Sequence, residues 1–319
     1  MRAIAAALAI VGGAPDAGDP AVVAVVERSL TCPAQPPALV CSGTAIGPRA
    51  VLTAAHCVGD RDPAGLDVIV GADLGGAATA VIAAAIAPDA DLAVLTLAAP
   101  LAATVATAPL ALDVGATVRV VGFGATAGAA TTAGVKHAGT SAIAATDAAT
   151  VTLAPGPALT CHGDSGGPVL DGDALIAVTS AGDAGCVRDG VAVRVDAHAA
   201  WIAAATDVAA PAPRPRFDPA ASLCARPCVA DAECAAGLVC RGTCTVAGLP
   251  PGDLGAACGD DADGACVAGP DGCRRFAPCG TDGGGCAASA HPVGGAPLAI
   301  AILAWWATRR RQVARRPAR

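Results

Sequence analysis

The sequence predicts an all-β fold, and three observations carry that expectation. Short runs rich in valine, leucine, isoleucine and threonine recur between Ala21 and Val195. Gly, Pro and Asp punctuate them at turn spacing. No long amphipathic helical period comes between them. Many short strands separated by turn signals make a sandwich or a barrel.

In chain order the predicted strands are Val22 to Val26, Ala38 to Thr44, Val51 to Thr53, Val68 to Val70, Ala80 to Ile86 and Leu92 to Leu97. They continue with Val118 to Phe123, Ser141 to Ala144, Thr150 to Leu153, Val169 to Leu170, Ala174 to Ser180 and Val191 to Val195. Asp171-Gly172-Asp173 is a turn between two of them.

Bulk properties narrow the class. A chain of 319 residues has room for more than one domain. Its 54% hydrophobic content is mostly alanine with valine and leucine, while aromatics are 2% and tyrosine is absent. The positive mean hydropathy therefore reflects small residues, and only the two ends carry candidate membrane segments. Six arginines, Arg309, Arg310, Arg311, Arg315, Arg316 and Arg319, lie past Ala307, so the net charge of −7 leaves about −13 for the rest. An acidic exterior excludes nucleic acid as a partner of that part. Fifteen cysteines imply an oxidising compartment, and hence export.

Function points to Cys161-His162-Gly163-Asp164-Ser165-Gly166-Gly167-Pro168. Glycine costs entropy on folding and weakens regular elements, so a serine set among three glycines has no packing use. A tight turn there can hold a serine hydroxyl and neighbouring N–H groups in one open geometry, as attack on an acyl carbon requires. Upstream stand Leu52-Thr53-Ala54-Ala55-His56-Cys57 and Asp91-Leu92-Ala93-Val94-Leu95. Singly, each block has a plainer reading: a core histidine or half a metal site, a turn aspartate, an ordinary loop. Together, the order His56, Asp91, Ser165 matches one arrangement of a nucleophilic triad.

These blocks resemble the TAAHC, DIALL and GDSGGP segments of trypsin/chymotrypsin-like serine proteases, over about Ile10 to Thr206. The resemblance implies two six-stranded antiparallel barrels with the triad in the cleft between them, closed by a helix over Asp196 to Thr206. It also implies that Ser165 attacks the scissile carbonyl, His56 carries the proton and Asp91 orients the histidine. The N–H groups of Gly163 and Ser165 would form the oxyanion hole. The substrate would be a protein or peptide, with no cofactor and no metal. Bridges Cys41 to Cys57 and Cys161 to Cys186 follow from the same match. So does the pocket. Leu159 takes the floor position, where trypsin-like members carry aspartate. Ser180-Ala181-Gly182 takes the SWG strand with alanine for tryptophan, and Gly182 and Gly190 keep the pocket open. An apolar floor favours a large apolar side chain over Arg or Lys, because a buried charge needs a partner. Asp189, beside Gly190, competes with that reading if the alignment slips by one residue.

Ile10-Val11-Gly12-Gly13 resembles the family's mature start, whose freed amine pairs with the aspartate before the nucleophile, here Asp164. Met1-Arg2 and the apolar Ala3 to Val11 have the order of a short signal peptide, with Ala7-Leu8-Ala9 as a small-residue cleavage site. Cleavage after Ala9 would then both end export and activate the chain. The alternatives are a plain signal region over residues 1–14 or a start further upstream.

Two other functions compete. Gly163-Asp164-Ser165-Gly166-Gly167 also satisfies the G-x-S-x-G elbow of α/β-hydrolase esterases, with a late Asp183 or Asp196 and His198 as partners. That elbow needs a helix after the serine, where Pro168 and a strand stand instead. The other is a catalytically silent surface binding protein on the protease fold, a reading favoured by Ala181 and the abbreviated N-terminus.

The C-terminal third changes character. Ala209-Ala210-Pro211-Ala212-Pro213-Arg214-Pro215-Arg216 is a proline-spaced linker. Nine cysteines follow in the 56 residues from Cys224 to Cys279, among little apolar sequence. That composition makes a disulfide-stapled module, and Cys32 would even the count if it reached this region. Cys286, the apolar Val293 to Ala307 and Arg309-Arg310-Arg311 together resemble the MYXO-CTERM sorting signal. The resemblance implies C-terminal sorting machinery as a partner and cutting near Cys286, with a lipid there. The apolar run of 15 residues is short for a bilayer, so flanking residues must help it span. An ordinary membrane anchor is the alternative. The expected organisation is 1–9 signal-like, 10–206 protease, 207–223 linker, 224–279 cysteine-rich module and 280–319 sorting segment.

Overall fold

The computed structural model describes residues 10–28, 36–126, 133–213, 228–234, 238–240, 242, 244–246, 266–269 and 272–275. The signal-like segment, Cys32, most of the cysteine-rich module, Cys286 and the apolar run at the end lie outside the described residues.

Twelve strands build two barrels. The first uses β2 (Val22–Glu27), β3 (Ala38–Gly47), β4 (Ala50–Thr53), β5 (Leu66–Val70), β6 (Ala77–Ile86) and β7 (Ala93–Leu97), closed in the order β2-β3-β4-β7-β6-β5. The second uses β8 (Thr117–Gly122), β9 (His137–Thr146), β10 (Thr150–Pro155), β11 (Pro168–Asp171), β12 (Ala174–Gly182) and β13 (Gly190–Arg194). Its order is β9-β10-β13-β12-β11-β8, closed by the pairing of β8 with β9. All these pairings are antiparallel. β1 (Ala14–Pro15) adds to the edge of β9. A one-turn helix, α1 (Ala55–Val58), follows β4, and α2 (Ala199–Thr206) follows a 3-10 turn at Asp196–His198. Every predicted barrel strand lies within or overlaps one of the twelve.

Strand alternation explains how a core almost without aromatics closes. On β2, Val23 and Val25 point into the first barrel with Val51, Leu66, Val68 and Leu95. The intervening Val22, Ala24 and Val26 face a second cluster that includes Val121, Phe123, Leu170 and Val178 from the other barrel. On β8, Val118 and Val120 enter the second barrel with Ile143, Val151 and Leu153. Both faces of β2 are buried from Val22 to Val26, which is why that stretch runs apolar without alternation.

The segment after Ile10 is tied across the second barrel. Arg119 grips the carboxylate of Asp19, with one contact of 2.7 Å. The buried ammonium of Lys136 donates to the Asp19 carbonyl at 2.6 Å, lies 3.8 Å from the Asp16 carboxylate and sits 6.0 Å from the Phe123 ring centre. Burial pushes the Lys136 pKa down, with Asp16 and Asp19 opposing that shift. Lys136→Met keeps the stem and removes the charge, leaving the Asp19 carbonyl with only its 3.1 Å bond from Val22 N. We expect a loss of about 1 to 3 kcal/mol in urea unfolding. A change within about 0.5 kcal/mol, the range of ordinary surface substitutions, would show that the tie contributes nothing.

Candidate active site

Register brings two of the sequence-singled residues together. Thr53 of β4 pairs with Ala93 of β7 in an antiparallel ladder. The chain just after Thr53 and the chain just before Ala93 therefore emerge at the same end of the first barrel. His56, on α1, and Asp91, ahead of β7, meet there. The Asp91 carboxylate accepts from the His56 backbone N–H at 3.0 Å, and its other oxygen lies 2.8 Å from His56 Nδ1. That second oxygen also accepts from the Ser180 hydroxyl at 2.5 Å. Burial pushes the Asp91 carboxyl up, but the hydrogen bond and charge of His56, with Ser180, outweigh it and hold it below the usual carboxylate range. An ionised Asp91 fixes the ring so that Nδ1 carries a proton and Nε2 is free to accept one. The hydroxyl of Ser180 thus serves Asp91, on the triad side of the cleft.

Ser165 sits in the loop before β11. Its carbonyl accepts from Ser42 N on β3 at 2.8 Å and lies 3.8 Å from Sγ of Cys57, the residue after His56. The nucleophile loop of the second barrel is therefore laid against the histidine-bearing end of the first. Gly163 and Gly166 both have left-handed φ, 93° and 81°. A Cβ on Gly166 would fall 2.0 Å from Thr53 Oγ1 and 2.2 Å from the Ser42 carbonyl oxygen, so only glycine lets the loop approach β3 and β4 this closely. Among the described residues, neither the Gly163 nor the Ser165 N–H donates to a backbone carbonyl. After Ser165 the chain enters strand β11, and no helix follows as a hydrolase elbow requires.

Asp164 faces inward and is fully buried. Its two oxygens accept from Cys161 N and Gly124 N, each at 2.8 Å. Burial, only partly offset by those N–H groups, pushes its pKa up to about 7. Sequence reading did not single out Gly122 and Gly124, which make its cradle. A Cβ on Gly122 would fall 2.2 Å from Asp164 Oδ1 and one on Gly124 2.6 Å from its carboxyl carbon. Their signal was faint: two glycines around Phe123 read as the ragged end of a strand. Ile10 is buried in the second barrel's core. No ion pair joins it to Asp164 among the described residues, since its nitrogen is a peptide amide in the uncut chain.

The pocket positions also converge. Gly182 and Gly190 are directly paired across β12 and β13. A Cβ on Gly190 would lie 2.8 Å from Thr160 Oγ1 and 3.6 Å from Leu159 Cδ1, so Leu159 and Thr160 border the same space. Thr160, which sequence reading passed over, lies beside these expected pocket positions. Leu159 is buried, and its main chain bridges to Val11. Two disulfides frame the cleft: Cys41 to Cys57 beside α1, and Cys161 to Cys186 between the nucleophile loop and the chain after β12. His56 and His162 each lie near one of these sulfur pairs. Both pairs are consumed in S–S bonds, so neither cluster offers a thiolate to a metal. A third bridge joins Cys228 to Cys240 at the end of β14 (Leu238–Cys240).

Residues 10–202 match the family model described as Trypsin. The chain belongs to the trypsin family. It is a serine-type endopeptidase. Among solved structures it is similar to neuropsin, a serine protease expressed in the limbic system of mouse brain, at 22% identity and a TM-score of 0.54. That likeness covers 62% of this chain and 100% of the other, and it bears on the fold. No curated protein matches the chain at the level of sequence.

A carboxyl that holds its proton more tightly folded than unfolded makes the folded state less stable as pH rises between the two values. With an unfolded value near 4 and a folded one of about 7, Asp164 removes on the order of 4 kcal/mol from the uncut chain across that window. Urea unfolding of uncut Ser165→Ala should lose stability from pH 4.5 to 7.5, and adding Asp164→Asn should flatten that dependence. Equal slopes in both chains would refute the assignment.

Proposed function

We propose that the chain is an exported, surface-held endopeptidase that cleaves peptide bonds through an acyl-enzyme on Ser165. His56 takes the Ser165 proton and returns it to the leaving amine, and Asp91 holds the imidazole and stabilises its cation. Gly163 and Ser165 N–H groups receive the oxyanion. The observation that carries this reading is the His56–Asp91–Ser180 hydrogen-bonded set lying against the Ser165 loop. None of the steps calls for a cofactor.

Activation follows cleavage after Ala9. Ile10 holds a positive φ of 46° in the uncut chain, costly for a β-branched residue. That torsion exists only while a carbonyl precedes Ile10, so cutting the bond removes the clash and creates an ammonium in the same stroke. Paired with Asp164, the ammonium draws the carboxylate's pKa down and removes its pH-dependent cost. Leu159 against glycine walls favours apolar P1 side chains, and esters of such residues are cleaved too.

Residues 10–206 form the protease, 207–223 the linker and 224–279 a disulfide-stapled spacer. The 280–319 segment is a sorting signal read by C-terminal machinery, with Cys286 as the site of cutting and lipid attachment. No helix among the described residues is long and apolar enough to cross a membrane. Support for surface attachment therefore comes from the sequence pattern alone.

Mass spectrometry of the exported protein after a fluorophosphonate probe tests the whole scheme. The expected result is a label on Ser165, lost in His56→Ala, on a chain that begins at Ile10. Absence of label from such a chain would make it a silent binding protein, and a start after Gly13 would sink the activation route. Asp91→Asn should lower kcat by about 10⁴ with geometry intact, as loss of the orienting carboxylate does in the triad template. A P1 series of p-nitroanilides should rank Phe and Leu above Arg and Lys; the reverse order would move the pocket's determinant to Asp189.

A further inference from the structure

Ser42 is fully buried at the seam between the barrels, and each of its polar groups is used. Its N–H donates to the Ser165 carbonyl at 2.8 Å, and its carbonyl accepts from Thr53 Oγ1 at 2.8 Å. Its hydroxyl accepts from Phe123 N at 2.9 Å and donates to the Gly163 carbonyl at 2.9 Å. The nucleophile loop is thus held at alternate carbonyls, Gly163 by the side chain and Ser165 by the main chain of one residue.

The geometry points to Ser42 as a positioning residue that aims the Gly163 and Ser165 N–H groups into the cleft. This rests on the triad reading of the site and goes one step beyond it. In a planar trans peptide the N–H points opposite to the carbonyl of the same unit. Gly163 N–H is aimed by the His162 carbonyl, which accepts from Ala125 N at 2.7 Å. Ser165 N–H is aimed by the Asp164 carbonyl, which accepts from Gly167 N at 2.9 Å. Between these two fixed peptides sits Gly163 itself, a glycine at φ 93° whose own torsions resist little. The next peptide is held at its N–H by the Cys161 carbonyl, 3.0 Å from Asp164 N, and at its carbonyl by the Ser42 hydroxyl. Removing the hydroxyl frees one of those ends and leaves the Gly163 carbonyl and Phe123 N–H without this partner. Ser42 also follows Cys41, which is bonded to the neighbour of His56, and it contacts Phe123, next to the glycine that donates to Asp164. One residue therefore ties base, oxyanion loop and buried carboxylate together.

The test compares the mature full chain with Ser42→Ala and Ser42→Gly, two ways to delete the hydroxyl, so that one variant suffices if the other does not fold. Steady-state kinetics on an apolar p-nitroanilide, inhibition by the matching peptide aldehyde and fluorophosphonate labelling are read together. Losing a true oxyanion donor costs about 10² to 10³ in kcat. Losing a group that only aims one should cost about tenfold, with KM within twofold and the aldehyde weakened by the same factor as kcat. Unchanged kcat with a lowered Tm would overturn the proposal by making Ser42 purely structural, and so would a KM rise with kcat and aldehyde affinity intact. Failure of the parent chain to label at Ser165 would overturn the triad reading itself, and the role of Ser42 with it.

Discussion

A buried carboxylate met by two backbone N–H groups is the constraint around which the second barrel's cleft is arranged. Asp164 has no solvent and, among the described residues, no counter-charge. Its surroundings must therefore bring N–H groups to within hydrogen-bond distance, which side chains on the neighbouring backbone would prevent. Gly122 and Gly124 on one side meet that demand, as the close approaches of their would-be Cβ atoms show. The left-handed φ of Gly163 and Gly166 on the other side turns the chain so that Asp164 points in while Ser165 points out. The glycines that first drew notice as a serine-presenting turn are equally the consequence of hiding an acid behind it. Left ionised and alone, such a group is a source of instability, and in the activation proposed above the cation of a freed N-terminus would convert it into a fastening.

The first barrel solves an easier problem. Its acid, Asp91, is also partly desolvated, but strand register brings His56 to it, Ser180 reaches it from the second barrel, and the net shift is downward. Nothing has to arrive from elsewhere for His56 and Asp91 to meet. The two halves of the site thus differ in kind: strand register brings His56 to Asp91, whereas Asp164 is buried with backbone N–H partners alone among the described residues.

Much of this was legible in the sequence for a physical reason. The strand run Val22 to Val26 is four valines around one alanine, and the structure buries both its faces; Val118, Val120 and Val121 carry the same signal around a half-buried Arg119. Alanine-rich ends were not legible. The strand Ala77–Ile86 opens on Ala-Ala, residues with little β preference, and pairing with Leu66–Val70 makes it extend beyond the expected Ala80. The one-turn helix carrying His56 was missed because four residues hold no period. At the site, residues inside a motif announced themselves, whether they act through side chain or backbone, while those outside one did not. Gly122, Gly124, Thr160 and Ser42 have no motif of their own, and only the contacts across the seam give them meaning. Ser42 sits in an ordinary strand, where a small polar residue reads as a solvent-facing position.

The small-residue composition and the seam are connected. Alanine and valine fill each barrel with few long side chains, and beside the apolar cluster the two barrels share, hydrogen bonds to the main chain join them. Ser42 to Ser165 and Ser42 to Gly163 cross between the barrels, while Thr53 Oγ1 to Ser42 and Ala125 to His162 brace that crossing from within each barrel, and all four are hydrogen bonds to main-chain carbonyls. Such bonds fix direction as well as distance, because a peptide is rigid and planar. A seam built from them holds the orientation of peptide N–H groups, which is what oxyanion binding needs and what dispersion contacts between aliphatic side chains, being non-directional, cannot supply.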